Sequence, residues 1–276
     1  MDDVRGKKVL ITGGGMGLGK IFARLAVEGG ASDVVLWDIN DEAMKETSEG
    51  LSGRGTQLHT YNVDVSDNAR VTEAGTQVLS EVGAPHVVFN NAGIVRGNSY
   101  FWETGEDNKD SEQTIAINAL APMYVTRVFL PEMIAQSGEA RIVNIASAAG
   151  FVANPRMAVY AASKWAAIGF SDSVRLELEQ AGHDHVKVTT VCPYYIKTGM
   201  FEGAKSALLV PLLEPEDVCA EVWDGMLSGK PMVIMPKTVA LNETMKGILP
   251  VRLRDFISDK IGIHNSMDDF KGRTKS

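Results

Sequence analysis

The stretch KVLITGGGMGLGK, Lys8–Lys20, decides the fold. Its first five residues are an apolar, β-branched run, glycines follow at once, and an amphipathic helical pattern covers Gly19–Glu28. A strand that turns on glycines into a helix leaves the first helical N–H groups and their partial positive charge facing out of the turn, where a phosphate can bind. Gly13, Gly17 and Gly19 suit a tight turn, a close backbone approach to a pyrophosphate, and close packing of helix on strand. The spacing G-x-x-x-G-x-G is not the usual G-x-G-x-x-G, and glycine-rich turns also arise for steric reasons alone. The position between strand one and a helix is what favours a nucleotide.

Working outward, six further short runs read as strands: DVVLWD, LHTYNVDV, HVVFNNAG, RIVNIAS, VKVTTVCP and PMVIMP. Their near-continuous apolar character predicts strands buried on both faces of a mostly parallel sheet. Amphipathic segments such as Asn68–Val82 lie between them. Strand–helix alternation from end to end, with no Pro/Ser-rich linker, predicts an α/β, doubly wound Rossmann-type sheet of seven strands in one domain, 1–276. Tyr194–Pro215 interrupts the alternation and reads as a substrate loop, 194–215. A C-terminal extension, 237–276, follows the last strand.

Bulk properties narrow the partners. Of 276 residues, 45% are hydrophobic and 22% charged, which leaves ample apolar surface for a core. The net charge of -8 argues against nucleic acid or an anionic membrane as main partner, yet backbone amides can still hold phosphates. Cys192 and Cys219 have no metal-ligand spacing, which fits a reduced intracellular setting. There is no apolar run of signal-peptide or membrane-spanning length, so a cytoplasmic protein without an integral membrane segment is expected. GHDH, with His183, Asp184 and His185, reads as a solvated turn, and no metal is expected.

The second strand ends at Asp38, 25 residues after Gly13. A carboxylate there can accept from both hydroxyls of an adenosine ribose and repels a 2′-phosphate; the competing role is to cap the helix that follows. Met16 stands where a basic residue would favour a 2′-phosphate, so NAD(H) is expected over NADP(H). Further on, YAASK puts Tyr160 and Lys164 four residues apart, on one face if helical. That pair alone says little.

Taken in order, the marks are TGGGMGLG at Thr12–Gly19, Asp64, NNAG at Asn90–Gly93, Asn118, NIAS with Ser147, YAASK, and PYYIKT at Pro193–Thr198. Together they resemble the short-chain dehydrogenase/reductase family of the Tyr-x-x-x-Lys type, as does the 13-residue separation of Ser147 from Tyr160. Tyr194 stands where the family usually has Gly, and Ala146 where Ser is common. The resemblance implies a catalytic set of Asn118, Ser147, Tyr160 and Lys164. It implies a cofactor site of Gly13, Gly15, Met16, Gly17, Leu18, Gly19, Asp38, Ile39, Asp64, Val65, Asn91, Ala92, Gly93, Tyr160, Lys164, Pro193, Ile196 and Thr198. Substrate contacts are expected from Ser147, Tyr160, Met200 and Phe201, and a homodimer or homotetramer as the assembly.

Hydride transfer between an alcohol and nicotinamide leaves a proton on oxygen. Tyr160 is the implied acid/base, but a free phenol titrates near 10, and lowering that to about 7 needs roughly 4 kcal/mol of preferential phenolate stabilisation. Lys164, one turn away, and the charge of oxidised nicotinamide are the expected sources. Lys164 is also implied to hold the nicotinamide ribose, Ser147 to polarise the substrate oxygen, and Asn118 to bend its helix and hold a water. The resulting expectation is NAD(H)-dependent interconversion of a lipophilic alcohol and its carbonyl compound. A dinucleotide-sensing binding protein and a nucleotide-sugar epimerase or dehydratase are the alternatives.

Two apolar segments complete the sequence. Tyr195, Ile196, Met200, Phe201, Leu208 and Leu209 suggest a mobile flap closing over an apolar substrate. Leu241, Met245, Ile248 and Leu249 fall on one face of a helix in the tail, before Phe256 and Ile257, and predict packing on the sheet edge or a subunit. A cover over the pocket or an interfacial contact is the other reading. The tail vaguely resembles those of retinol and hydroxysteroid dehydrogenases, which usually carry an amino-terminal anchor that is not expected here.

Overall fold

The computed structural model describes residues 1–96, 99–104, 107–206 and 211–272, and only the backbone of 242–246. Leu208, Leu209 and the side chain of Met245 lie outside the described residues.

In chain order the elements are β1 (Lys8–Thr12), α1 (Gly17–Glu28), β2 (Asp33–Asp38), α2 (Asp41–Leu51), β3 (Gln57–Asn62), α3 (Asn68–Glu81) and β4 (Val87–Asn90). Then come α4 (Lys109–Ile115), a π-helical turn (Ala116–Leu120), α5 (Ala121–Ala135), β5 (Ala140–Ile145), α6 (Ala158–Gln180) and β6 (Val186–Pro193). The chain continues through α7 (Pro215–Ser228), β7 (Met232–Met235), α8 (Lys237–Lys246) and α9 (Val251–Lys260). The strands form one seven-stranded sheet, every pair parallel, in the order β3-β2-β1-β4-β5-β6-β7.

Alternate residues feed opposite faces. Val9, Ile11, Val34, Leu36 and Phe89 pack with Phe22 of α1 and Val222 of α7 on one side. Leu10, Val35, Trp37 and Val88 pack with Val71 of α3 and Phe129 of α5 on the other. Both faces of the central strands are thus covered, as their continuous apolar runs predict. β3 departs from that expectation. It is an edge strand in which only Tyr61 is buried, and among the described residues no strand pairs with its outer side. Its strand geometry also stops at Asn62, so Val63–Val65 leave the sheet.

The order of the strands reverses between β1 and β4, and in such sheets ligands bind in the crevice outside the strand ends at this point. The two loops that leave it are tied together. Thr12 Oγ1 accepts from the N–H groups of Asn91 and Ala92, each at 3.0 Å. Asn91 Nδ2 donates back to the carbonyls of Thr12 and Gly13, at 2.9 and 3.2 Å.

The tail differs from its prediction. α8 ends at Lys246, so Ile248 and Leu249 lie beyond it, and Leu241 and Ile248 are exposed. Among the described side chains of the tail, buried contacts with Ala148 come from Val239 and Ile263. Phe256 and Ile257 are exposed as well.

Candidate active site

The turn after β1 is shaped by close approach. Gly13 and Gly17 have φ of +64° and +54°, in the left-handed region that favours glycine. A Cβ on Gly19 would run into the carbonyl of Gly13, so this glycine lets α1 begin against the turn. Met16 occupies the N-cap of α1, and no side chain caps the helix there. The first N–H groups of a helix have no partner within it, so this end suits a phosphate.

Asp38 lies at the end of β2, on the same rim. Its carboxylate accepts from the N–H of Gly15 at 2.9 Å and from that of Asn40 at 3.1 Å. The role of capping α2 belongs to Asn40, whose side chain accepts from Ala43 N–H at 3.0 Å. Gly15 thus meets the site through Asp38, and Gly19 lies in the packing of the turn rather than on the wall.

From this rim a cleft of about 330 Å³ runs across the strand ends. Its wall includes Gly13, Met16, Gly17, Leu18, Asp38, Ile39, Asp64, Val65, Asn91, Ala92, Gly93, Pro193, Ile196 and Thr198, all expected from sequence. Tyr160, Lys164 and Ser147 close its far end, with Met200 and Phe201 beside them. Trp37, Asn40, Val63, Ile94, Ile117, Ile145, Ala146 and Tyr194 also line it and were not singled out as site residues. Most of these adjoin a predicted residue, so neighbourhood to a motif was the available signal.

The far end is assembled from four segments. Ser147 follows β5, accepts from Ala149 N–H at 3.1 Å and donates to Pro193 O at 3.5 Å. α6 carries Tyr160 and Lys164 one turn apart, 4% and 5% exposed, so both point into the protein rather than decorating a surface. Lys164 Nζ donates to the carbonyl of Ile145 at 2.9 Å and lies 5.7 Å from the centre of the Tyr160 ring. Asn118 sits in the π-helical turn, where Ala121 N–H reaches back five residues to Ala116 O. Its side chain clamps the backbone of Ile94, donating to the carbonyl and accepting from the N–H at 2.9 Å each. It also donates to Ser163 Oγ at 3.2 Å. Asn118 is therefore buried behind the cleft wall, and its own amide is committed to protein partners.

Electrostatics differ from the sequence expectation. Burial raises the Tyr160 phenol well above its ordinary value, which the Ser147 hydroxyl only partly opposes. Burial likewise lowers the Lys164 ammonium, to about 8. Burial therefore favours the protonated phenol at Tyr160, and Lys164 does not offset it.

The wall beyond Tyr160 is aromatic. Phe201 meets Tyr160 edge-on at 6.1 Å between ring centres and packs 5.0 Å from Tyr195, which in turn lies 4.4 Å from Tyr194. Met157, Met267 and Phe270 join this cluster. Met157 and the two tail residues carried no local signal, because their approach to the site depends on how distant segments cross. At the GHDH turn, Asp184 pairs with Lys187 at 3.5 Å and His185 Nε2 meets Ile134 O at 3.1 Å. No group of three or more metal-type ligands is found among the described residues.

Comparison with known proteins bears directly on this geometry. The family model described as short chain dehydrogenase matches residues 7–208. Epidermal retinol dehydrogenase 2 of Mus musculus is 37% identical over 99% of this chain and 88% of its own length. Estradiol 17-beta-dehydrogenase 11 of Homo sapiens is 35% identical over 94% of this chain and 85% of its own. Among solved structures, a short chain dehydrogenase/reductase from Burkholderia phymatum in complex with NAD superposes with a TM-score of 0.79. It is 26% identical, over 88% of this chain and 94% of that one. A metagenomic short-chain oxidoreductase in complex with NADP gives 0.69 at 27% identity, over 84% and 96%. With the motifs in family order along a matching sheet, the chain belongs to the short-chain dehydrogenase/reductase family of oxidoreductases and is similar to its retinol and hydroxysteroid dehydrogenase branch.

Proposed function

We propose that the protein is an NAD(H)-dependent oxidoreductase that interconverts a lipophilic alcohol and its ketone or aldehyde, with Tyr160 as acid/base. The observation that carries this reading is the joint burial of Ser147, Tyr160 and Lys164 at the end of a cleft that starts at an uncapped helix terminus. A dinucleotide-sensing protein needs only the first half of that cleft.

The residues present fit a dinucleotide. The glycine turn and the start of α1 would hold the pyrophosphate, Asp38 the adenosine ribose, and Lys164 the nicotinamide ribose. Asp38 is oriented by two backbone N–H groups, and among the described residues on the wall Lys164 is the only basic one. Both facts favour NAD over a 2′-phosphorylated dinucleotide. When bound, NAD supplies the acceptor for hydride from the alcohol carbon. Ser147 would hold the substrate oxygen, and Tyr160 would take its proton during oxidation or return it during reduction. Asn118 would act by fixing Ile94 and by distorting its helix, and a held water would meet the turn's backbone rather than the committed amide. Lipophilic substrates are supported by the wall of Tyr194, Met200 and Phe201 and by the relatives that are named for retinol and estradiol.

The same reading includes a cytoplasmic setting, which two buried, unbridged cysteines fit, and self-association. Trp165 and Leu176, both exposed on α6, support an interface there. Light scattering of the purified chain is expected to give a dimer or tetramer, and a monomer at micromolar concentration contradicts it. NAD+ reduction with a panel of retinoid, steroid and aliphatic alcohols tests the function. Turnover with apolar members is expected, and turnover with none of them contradicts it.

A further inference from the structure

The tail beyond α9 is joined to the loop that carries Phe201 by several independent contacts. Ser266, 1% exposed, stands at the centre. Its hydroxyl donates to Ile263 O at 2.8 Å and lies 3.0 Å from the Tyr195 hydroxyl, while Asn154 Nδ2 donates to Tyr195 Oη at 2.9 Å and to Ser266 Oγ at 3.0 Å. Since Ser266 has one proton and spends it on Ile263, Tyr195 is the donor to Ser266 and accepts from Asn154. Met157 Sδ lies 3.7 Å from the Tyr195 hydroxyl and 3.6 Å from Asn154 Nδ2 as a further acceptor, so the hydroxyl is held from three sides.

Backbone contacts hold the same two segments together. Lys205 N–H donates to Ser266 O at 2.8 Å, and the N–H groups of Lys271 and Gly272 donate to Glu202 O at 2.9 and 3.2 Å. Gly203, with φ of +84°, lies so close to the carbonyl of Asp269 that a Cβ there would run into it. Phe270 packs on Phe201 at 6.5 Å, and Met267 is 1% exposed in the cluster that includes Tyr160. Ion pairs Lys205–Asp269 at 2.6 Å and Arg156–Asp268 at 3.5 Å add to this at the rim.

We infer that the segment Ile263–Gly272 is a latch that positions Phe201 and Tyr195 beside Tyr160, and so sets which alcohols the pocket accepts. Neither Ser266, Met267 nor Phe270 is on the cleft wall, so they are positioning residues acting through Phe201 and Tyr195. The described part of the loop, 199–206, is then a wall held by the tail, in place of a freely moving flap. Specificity for bulky substrates follows, because a wall fixed from behind admits a large apolar group only in one orientation and is indifferent to a small one.

The inference rests on the alcohol-oxidising reading, and the test separates the two. Ser266→Ala and Phe270→Ala are made in the full chain. Without any ligand, amide exchange across 199–206 is expected to speed up by about fivefold or more in both, with β5 and α6 unchanged. With NAD+, the KM for retinol or estradiol is expected to rise by about tenfold, and that for cyclohexanol to change by less than about twofold, with kcat on cyclohexanol kept. Ser266→Thr and Phe270→Leu are expected to restore much of both, and they replace the alanine variants if those do not fold. Unchanged exchange at 199–206, or an equal KM rise for all three alcohols, overturns the latch. If the wild type oxidises none of them, the proposed function fails, and the exchange measurement alone decides whether the tail holds the loop.

Discussion

Burial favours the neutral form of both catalytic candidates, and this has measurable consequences at Tyr160 and Lys164. The folded chain holds Lys164 at about 8, below its ordinary 10.5. Between those values the unfolded chain keeps a proton that the folded protein has lost, so stability rises with pH across that window, at most by about 1.4 kcal/mol per unit. Tyr160 contributes nothing below 10, since its phenol is protonated in both states. Chemical denaturation from pH 8 to pH 10 is therefore expected to show the wild type gaining stability relative to Lys164→Met, and parallel curves contradict the assignment. At Asp38 the same kind of argument concerns a ligand. Opposing a 2′-phosphate by roughly 1–4 kcal/mol makes NAD+ the tighter ligand by at least about fivefold. Asp38→Asn, which keeps an acceptor for Gly15, is expected to narrow that gap by calorimetry, and an unchanged gap contradicts it. Sequence pointed to both positions. It did not reveal that Tyr160 lies deep enough for burial to outweigh the lysine, since depth depends on how β5, α6 and the tail enclose it.

At the scale of elements, the glycines separate packing from flexibility. Gly19→Ala pushes a methyl into the carbonyl of Gly13 and is expected to cost about 1–3 kcal/mol and most of the dinucleotide affinity. Gly50, inside α2 with nothing within 4 Å, is the control. Gly50→Ala is expected to be neutral or to stabilise by up to about 1 kcal/mol. Thermal melts of the two variants with and without NAD+ check this, and equal melts contradict it. Several elements near the site were readable because each carries its own signal, β-branched runs for β1, β2 and β6 and the glycines for the start of α1, whereas YAASK became readable only through the order of the motifs around it. The tail carried a misleading one. Its apolar spacing suggested one continuous helical face, but the chain leaves the helix after Lys246, and among the described side chains Val239, Ile263 and Met267 are buried in apolar clusters. Periodicity locates a helix; it does not say which of its residues find a partner.

For the whole molecule, the parallel sheet and its reversal between β1 and β4 bring the loops after β1, β2, β4, β5 and β6 to one edge. That is why motifs scattered from Thr12 to Thr198 converge on one cleft, and why their order along the chain was enough to anticipate it. What order could not supply is the aromatic wall beyond Tyr160, where the loop after β6 crosses residues 266–272 of the tail. Tyr160 is proposed to move the proton while the rest of the cleft binds the dinucleotide. Tyr160→Phe removes one hydroxyl from a buried ring, so the measurement is NAD+ affinity by calorimetry beside kcat on an alcohol that the wild type oxidises. NAD+ affinity is expected within about twofold of wild type, with kcat lower by about 10²–10⁴-fold. Near wild-type kcat in Tyr160→Phe, with NAD+ affinity intact, would contradict it.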